Sequence, residues 1–177
     1  MMSDSTSGDS SVVFWRDVLW QQSGAAIDML ENAIVACPES VWSDRSLQPE
    51  FWYTVYHTLF WLDYYLSYPS KDFAPPAPFN LDEMDPAGLL PERVYTKEEM
   101  LGYLEHGRRK CRETITALTE EQARERLPFG KAPMSRAELM LYQLRHLQHH
   151  AGQLHMHLRQ KTDSAPRWVR QAKGSKG

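Results

Sequence analysis

The stretch PEFWYTVYHTLFWLDYYL, from Pro49 to Leu66, constrains the fold more than any other part of this 177-residue chain. Proline is favourable at the first position of a helix, and Pro69 sets the point before which the helix must end. Apolar side chains lie on almost every side of the segment, which implies burial on more than one face. Such a helix cannot sit on a surface, and other elements have to cover it.

Three further long segments have helical character. The first runs from about Ser11 to Ala36, with Phe14, Val18, Ala25, Met29 and Ile34 on one apolar stripe and Pro38 closing it. The other two open on the same signal. Thr96-Lys97-Glu98-Glu99 and Ser135-Arg136-Ala137-Glu138 both read as capping boxes, in which a hydroxyl and a carboxylate satisfy orphan backbone donors reciprocally. Met134 and Leu139 are spaced as a hydrophobic staple around the second box, and that helix runs to about Lys161. A short extra helix opens at Thr119 and stops before Pro128, and no segment argues for a sheet.

The expected fold is therefore all-α: a four-helix bundle over residues 11–161, with one long crossover between helices two and three. That crossover, proline-rich from Lys71 to Tyr95, lets the two helices it joins run parallel. It is also long enough to act as a lid. Residues 1–10 read as a disordered lead-in, rich in Ser, Asp and Gly. Residues 162–177 read as a mostly flexible basic tail, with Trp168 and Val169 as candidates for docking.

Several function classes are excluded early. A net charge of −3 leaves no electrostatic footprint for nucleic acid. No apolar run reaches the ~20 residues of a membrane span. The opening MMSDSTSGDS lacks the basic and apolar regions of a signal peptide. Two cysteines, Cys37 and Cys111, are too few for a disulfide framework or a cysteine zinc site. Reduced thiols in the cytoplasm fit them better.

What remains distinctive is RHLQHHAGQLH, from Arg145 to His155, followed by His157. At about 100° per residue, His150 falls about 40° from His146 and His157 about 20° from it, while His155 falls about 180° away. His155 is thus expected in solvent. His146 and His150 lie about 6 Å apart along the axis, so their imidazoles can converge on one ion at ~2.0–2.1 Å. His157 shares their face but lies about 10 Å further on, too far for the same ion. A third ligand has to come from another helix, where His57 and Asp63 are the candidates. A histidine buried in the second helix is costly without a partner, and its stripe, shared with Tyr53, Trp61 and Tyr64, favours His57. The bland alternative is a core histidine beside a surface run.

The order of these motifs resembles the DinB/YfiT-like superfamily, a group of metal-binding four-helix bundles widespread in bacteria. PEFWYTVYHTLFWLDYYL is similar to that family's helix-two motif, and His146-Leu147-Gln148-His149-His150-Ala151-Gly152-Gln153-Leu154 to its helix-four motif. PRWV near the tail is similar to its closing segment. The resemblance implies a ligand triad of His57, His146 and His150, an up-down-down-up bundle and a homodimer. Trp52, Tyr56 and Leu59, on the second face of helix two, are candidates for a subunit interface or for cover by the 71–95 loop.

Three neutral imidazoles leave a dication's charge uncompensated and a coordination position open, the pattern of catalytic sites. Such nitrogen ligands suit Zn, Ni or Fe. The resemblance implies a metal-dependent hydrolase, or a transferase taking a low-molecular-weight thiol and a small-molecule substrate. The alternative is a bundle that binds metal or ligand without turnover. Tyr53, Tyr64 and Tyr142 lie on the histidine-bearing faces as candidate substrate contacts, and Gln153 as support for a ligand. No carboxylate stands out as a general base. His106 and the run Arg108-Arg109-Lys110 read as an exposed basic face.

Overall fold

Caps set the helix starts. The Thr96 hydroxyl accepts the Glu99 N–H at 3.2 Å and the Glu99 carboxylate accepts the Thr96 N–H at 2.8 Å. Ser135 and Glu138 exchange the same pair of bonds at 3.2 and 2.6 Å. Thr119 and Gln122 do so at 3.1 and 3.0 Å. Each cap is worth about 1 kcal/mol relative to alanine.

The computed structural model describes residues 6–174 apart from Leu47 and Leu89, with side-chain surroundings from Ser11 onward. In chain order its elements are α1 (Thr6–Ala36), α2 (Glu39–Trp42), α3 (Phe51–Ser67), a 3₁₀ turn (Asp82–Met84), α4 (Lys97–Ala117), α5 (Glu120–Arg124), β1 (Arg126–Leu127), β2 (Met134–Ser135) and α6 (Arg136–Thr162). The protein is mostly helical. One two-residue antiparallel pair, Arg126 with Ser135 and Leu127 with Met134, forms where no sheet was expected. Two residues per strand are too few to leave an alternating pattern in the sequence. α1 starts at Thr6, within the segment read as a disordered lead-in; residues 1–5 lie outside the described residues.

α1 packs against α4 and α6, and α3 packs against the same two helices. Paired contacts set the directions. Asp28 meets Arg108 and Arg16 meets the Leu118 carbonyl, so α1 and α4 are antiparallel. Gln22 shares a cleft with Arg145 and Ala36 shares one with Leu158, so α1 and α6 run together. His57 lies against His150 and Tyr65 against Tyr142, so α3 and α6 are antiparallel. Tyr103 bonds Asp63 and Lys110 bonds Ser67, so α3 and α4 run the same way.

The all-round apolar character of α3 is answered from three sides. α4 and α6 cover two of them, and the 71–95 connection covers another. Tyr56 stacks on Phe79 at 5.9 Å, Phe79 on Tyr103 at 4.4 Å, and Phe73 meets the edge of Phe60 at 5.4 Å. Tyr95 closes over Trp52 at 6.1 Å. Aromatic pairs of this kind add about 0.5–1.5 kcal/mol each beyond the area they bury. Trp52, Tyr56 and Leu59 are consequently buried within the chain. Of the two expectations for that face, cover by the loop is the one realised, and the face is closed to a second subunit.

Two surface readings change. The run at 108–110 is a free basic face only at Arg109, which is exposed. Arg108 reaches Asp28, Glu31 and Glu105, and Lys110 bonds Asp63 and Ser67. The tail read as flexible is held along α1. Ala172 N–H donates to the Gln21 carbonyl at 3.1 Å, and Lys173 N–H to the Asp28 carboxylate at 2.7 Å. Gly24 is the seat: a Cβ there would stand 2.5 Å from the Ala172 Cβ. The physical reason is Asp28, fully buried, whose carboxylate needs partners on both oxygens. Val169 packs partly on the core, whereas Trp168 stays exposed.

On α1 the apolar stripe is buried at Ala25, Met29 and Ile34, but Phe14 is exposed beside Val13 and Trp15. Cys37 and Cys111 are free and buried, and burial pushes both thiols up to about 12. Among the described residues, no helix is long and apolar enough to cross a membrane.

The α4 cap yields a pH prediction. Hydrogen bonds from Arg93 and from the Thr96 backbone hold the Glu99 carboxyl down at about 2, well below its ordinary 4.5. A depressed carboxyl contributes stability above its unfolded pKa, and that contribution is lost as pH falls through the folded one. Replacing Glu99 by Gln is therefore expected to cost on the order of 1 kcal/mol at neutral pH. The difference from the parent should shrink from about pH 4.5 downward and vanish near pH 2, as read by urea unfolding at several pH values.

Candidate metal centre

Antiparallel packing of α3 on α6 brings His57 opposite His146 and His150. Four residues make slightly more than one helical turn, so the two α6 imidazoles stand one above the other on the same face. His146 Nε2 lies 3.3 Å from His57 Nε2 and 3.1 Å from His150 Nε2. The edge of a tetrahedron with ~2.0–2.1 Å metal–nitrogen bonds is about 3.3 Å. Both separations therefore match an edge of such a site, and the ligand atoms of all three histidines lie within 4.8 Å of one another. Among the described residues these three are the group of His, Cys, Asp or Glu side chains close enough to hold a metal.

The far nitrogens show why the near ones converge. His57 Nδ1 donates to the Glu83 carboxylate, and His150 Nδ1 donates to Gln153 Oε1 at 2.7 Å. With both Nδ1 atoms carrying the proton, a neutral His57 and a neutral His150 each turn an Nε2 lone pair toward His146 Nε2. A single N–H on His146 can satisfy one of them. A cation satisfies all three, so the donor set fits a metal. Burial first, and then the neighbouring imidazoles, hold His146 down at about 4; burial likewise holds His150 at about 4. Both rings are thus neutral near pH 7, as ligands must be.

Glu83 is the residue that sequence reasoning missed. It arrives from the long connection on the 3₁₀ turn and is buried against α3. Besides the bond from His57, it accepts Trp61 Nε1–H and the Tyr53 hydroxyl, each at 3.0 Å. Burial alone would raise its carboxyl, but the bonds from His57, Trp61 and Tyr53 outweigh that and lower it. The available signal was Asn80: its side chain accepts the Asp82 N–H at 3.0 Å, the Asx-turn that begins the 3₁₀ turn. The turn could be read from the sequence, but its docking on α3 could not.

A sequence model of the DinB superfamily matches residues 23–154. The chain belongs to the DinB superfamily. No curated protein and no solved structure matches it significantly. Within this superfamily member, the matched region contains α3, the whole 71–95 connection and all three converging histidines.

The remaining candidates divide. Tyr53 is at the centre: its ring lies 6.3 Å from His57, its hydroxyl bonds Glu83, and it lines a cavity of about 230 Å³ with His57, His150 and Thr54. Tyr64 is not at the centre; it packs among Trp61, Tyr68 and Phe73. Tyr142 stands one layer out, against Tyr65 at 5.4 Å, and Tyr65 in turn lies 5.9 Å from His146. Gln153 bonds His150, while Gly152 faces solvent with nothing close to it, so the neighbouring glycine is not a packing seat. His157 is outside the cluster, with Nδ1 buried and unpartnered. His155 departs from expectation: its Nε2 bonds the Met29 carbonyl at 2.9 Å, because α1 lies against that face of α6. Asp63, the rejected ligand, is buried on the opposite side of α3 with Tyr103, His106 and Lys110.

Glu83 ties the connection to α3 through three donors, and hydrogen bonds to a charged group are worth ~1.5–3 kcal/mol apiece before compensation by water. Replacing Glu83 by Ala is expected to lower stability by about 2–3 kcal/mol and to speed proteolysis within Lys71–Tyr95. Urea unfolding and timed digestion read the two effects. Unchanged digestion would show that the aromatic contacts hold the connection without Glu83.

Proposed function

We propose that His57, His146 and His150 hold one divalent metal ion, Zn, Ni or Fe, through their Nε2 atoms, and that the protein is a metal-dependent transferase using a low-molecular-weight thiol. The observation that carries the metal reading is the convergence of three imidazoles, with His146 Nε2 at 3.3 Å from His57 Nε2 and 3.1 Å from His150 Nε2. Bound there, the ion supplies Lewis acidity toward a thiolate, a water or a carbonyl. Glu83 fixes the tautomer and orientation of His57, and Gln153 does the same for His150. Tyr53 sits at the cavity wall with its hydroxyl committed to Glu83, which, after burial, helps push that phenol up to about 12. It contributes shape and polarity there rather than a proton.

Between transferase and hydrolase, the state of Glu83 favours the transferase. The carboxylate nearest the centre has both oxygens occupied by donors, and these bonds outweigh burial and leave it a weak base. Hydrolysis needs a group to take a proton from water. A thiol, which is more acidic, depends on such a base far less. The resemblance to thiol-dependent relatives supports the same choice. The arrangement of α1, α3, α4 and α6 supports an up-down-down-up four-helix bundle with the 162–174 tail docked on it. Two free thiols support a cytoplasmic setting. For a homodimer, the exposed Val13, Phe14 and Trp15, adjacent on α1, offer one apolar surface.

The test is metal content in protein purified without an affinity tag. One ion per chain is expected in the parent and in His149→Ala, whose side chain is exposed, with loss in His57→Ala and His150→Ala. Glu83→Gln should retain the site at ~10–100-fold lower affinity. Loaded protein is then assayed with thiols and electrophiles. No uptake of Zn, Ni or Fe would overturn the metal reading; uptake without turnover of any thiol–electrophile pair would make the ion a staple of the fold.

A further inference from the structure

A second cavity, of about 620 Å³, lies on the outer side of α6. Its walls are the middle of α1, the exposed face of α6 and the docked tail. Its size is that of a small-molecule site, for which ~300–1,000 Å³ is typical. His146 lines it as well, so the cleft and the histidine centre share one side chain.

The chemistry of the lining is one-sided. Arg145 and His149, both exposed, stand with Gln22 and Gln148 at the cleft, and no acidic residue lines it. Among the described residues no carboxylate pairs with Arg145. This sets it apart from Arg108 and Lys110, whose charges are spent on Asp28 and Asp63. The flat apolar surface comes from Trp168, exposed on the tail, and Tyr142. Trp168 keeps its place because the chain just beyond it is anchored: Gln22 bonds the Arg170 carbonyl, Ala172 sits on Gly24, and the Lys173 N–H bonds Asp28. A large aromatic held out in solvent at the same cleft as an unpaired guanidinium suits a ligand with both a flat apolar face and an anionic group.

We propose that this cleft binds a small organic anion with a flat apolar body, its carboxylate held by Arg145 and its face laid against Trp168. Arg suits a carboxylate because its planar fork donates two parallel hydrogen bonds. The assignment of this anion as a substrate or cosubstrate rests on the metal reading, since it would sit beside His146. The binding itself does not.

The probe is 2-naphthoate, compared with its neutral amide, 2-naphthamide, by titration calorimetry. The acid is expected to bind the parent at least about tenfold tighter than the amide, the scale of a hydrogen-bonded charge pair. Arg145→Ala removes the preference, and Trp168→Ala weakens both ligands several-fold. Arg145 and Trp168 are surface residues, so both variants should unfold at the parent's urea midpoint. Protein stripped with EDTA should bind naphthoate as the parent does, which separates this test from that of the metal centre. Equal affinity for acid and amide, a preference that survives Arg145→Ala, no saturable binding, or binding lost on EDTA treatment would each overturn the proposal.

Discussion

A helix as apolar as α3 must be covered on every side, and most of the architecture follows from how that is done. α4 and α6 take two faces and run in opposite directions along it. The 71–95 connection covers a further face with Phe73, Phe79 and Tyr95. The same cover delivers Glu83 to His57. The connection that buries its aromatics on α3 thus also places the carboxylate.

Buried charge organises the rest. Asp28 and Asp63 are both fully buried, and each draws a cation from α4: Arg108 for the first and Lys110 for the second. Asp28 also takes the backbone of Lys173, and so the tail is folded back along α1. Once these carboxylates are satisfied, Arg108 and Lys110 have no charge to spare, and Arg109 is the member of the run left exposed. The three converging imidazoles are the opposite case. The outer nitrogens of His57 and His150 are satisfied and the inner ones of all three face one another, an arrangement whose donor set fits a cation.

Much of this could be read residue by residue. The capping boxes at Thr96 and Ser135 form where the sequence places them, because a cap is a contact between residues three apart. The i, i+4 spacing of His146 and His150 predicts a shared face, since one helical turn decides it. Superfamily membership was visible in the same motifs. Readings that depended on distant parts of the chain fared less well. His155 was expected in solvent and bonds the Met29 carbonyl. The tail was expected to be loose and is pinned by Asp28. Tyr64 shares the His57 stripe yet packs away from the centre, because a stripe fixes a direction and not a neighbour.

The sequence by itself determined the four long helices, the capped starts of α4 and α6 and the face shared by His146 and His150, because those are set by bonds and spacings of three or four residues. Only the tertiary structure decided which carboxylate reaches His57, which cations stay unpaired and what the tail touches. Those outcomes depend on residues some 26 to 145 positions apart, as with Glu83 and His57 or Lys173 and Asp28. Nothing in local propensity encodes such pairs. They form because a buried polar group without a partner costs more than ordering the chain that brings one.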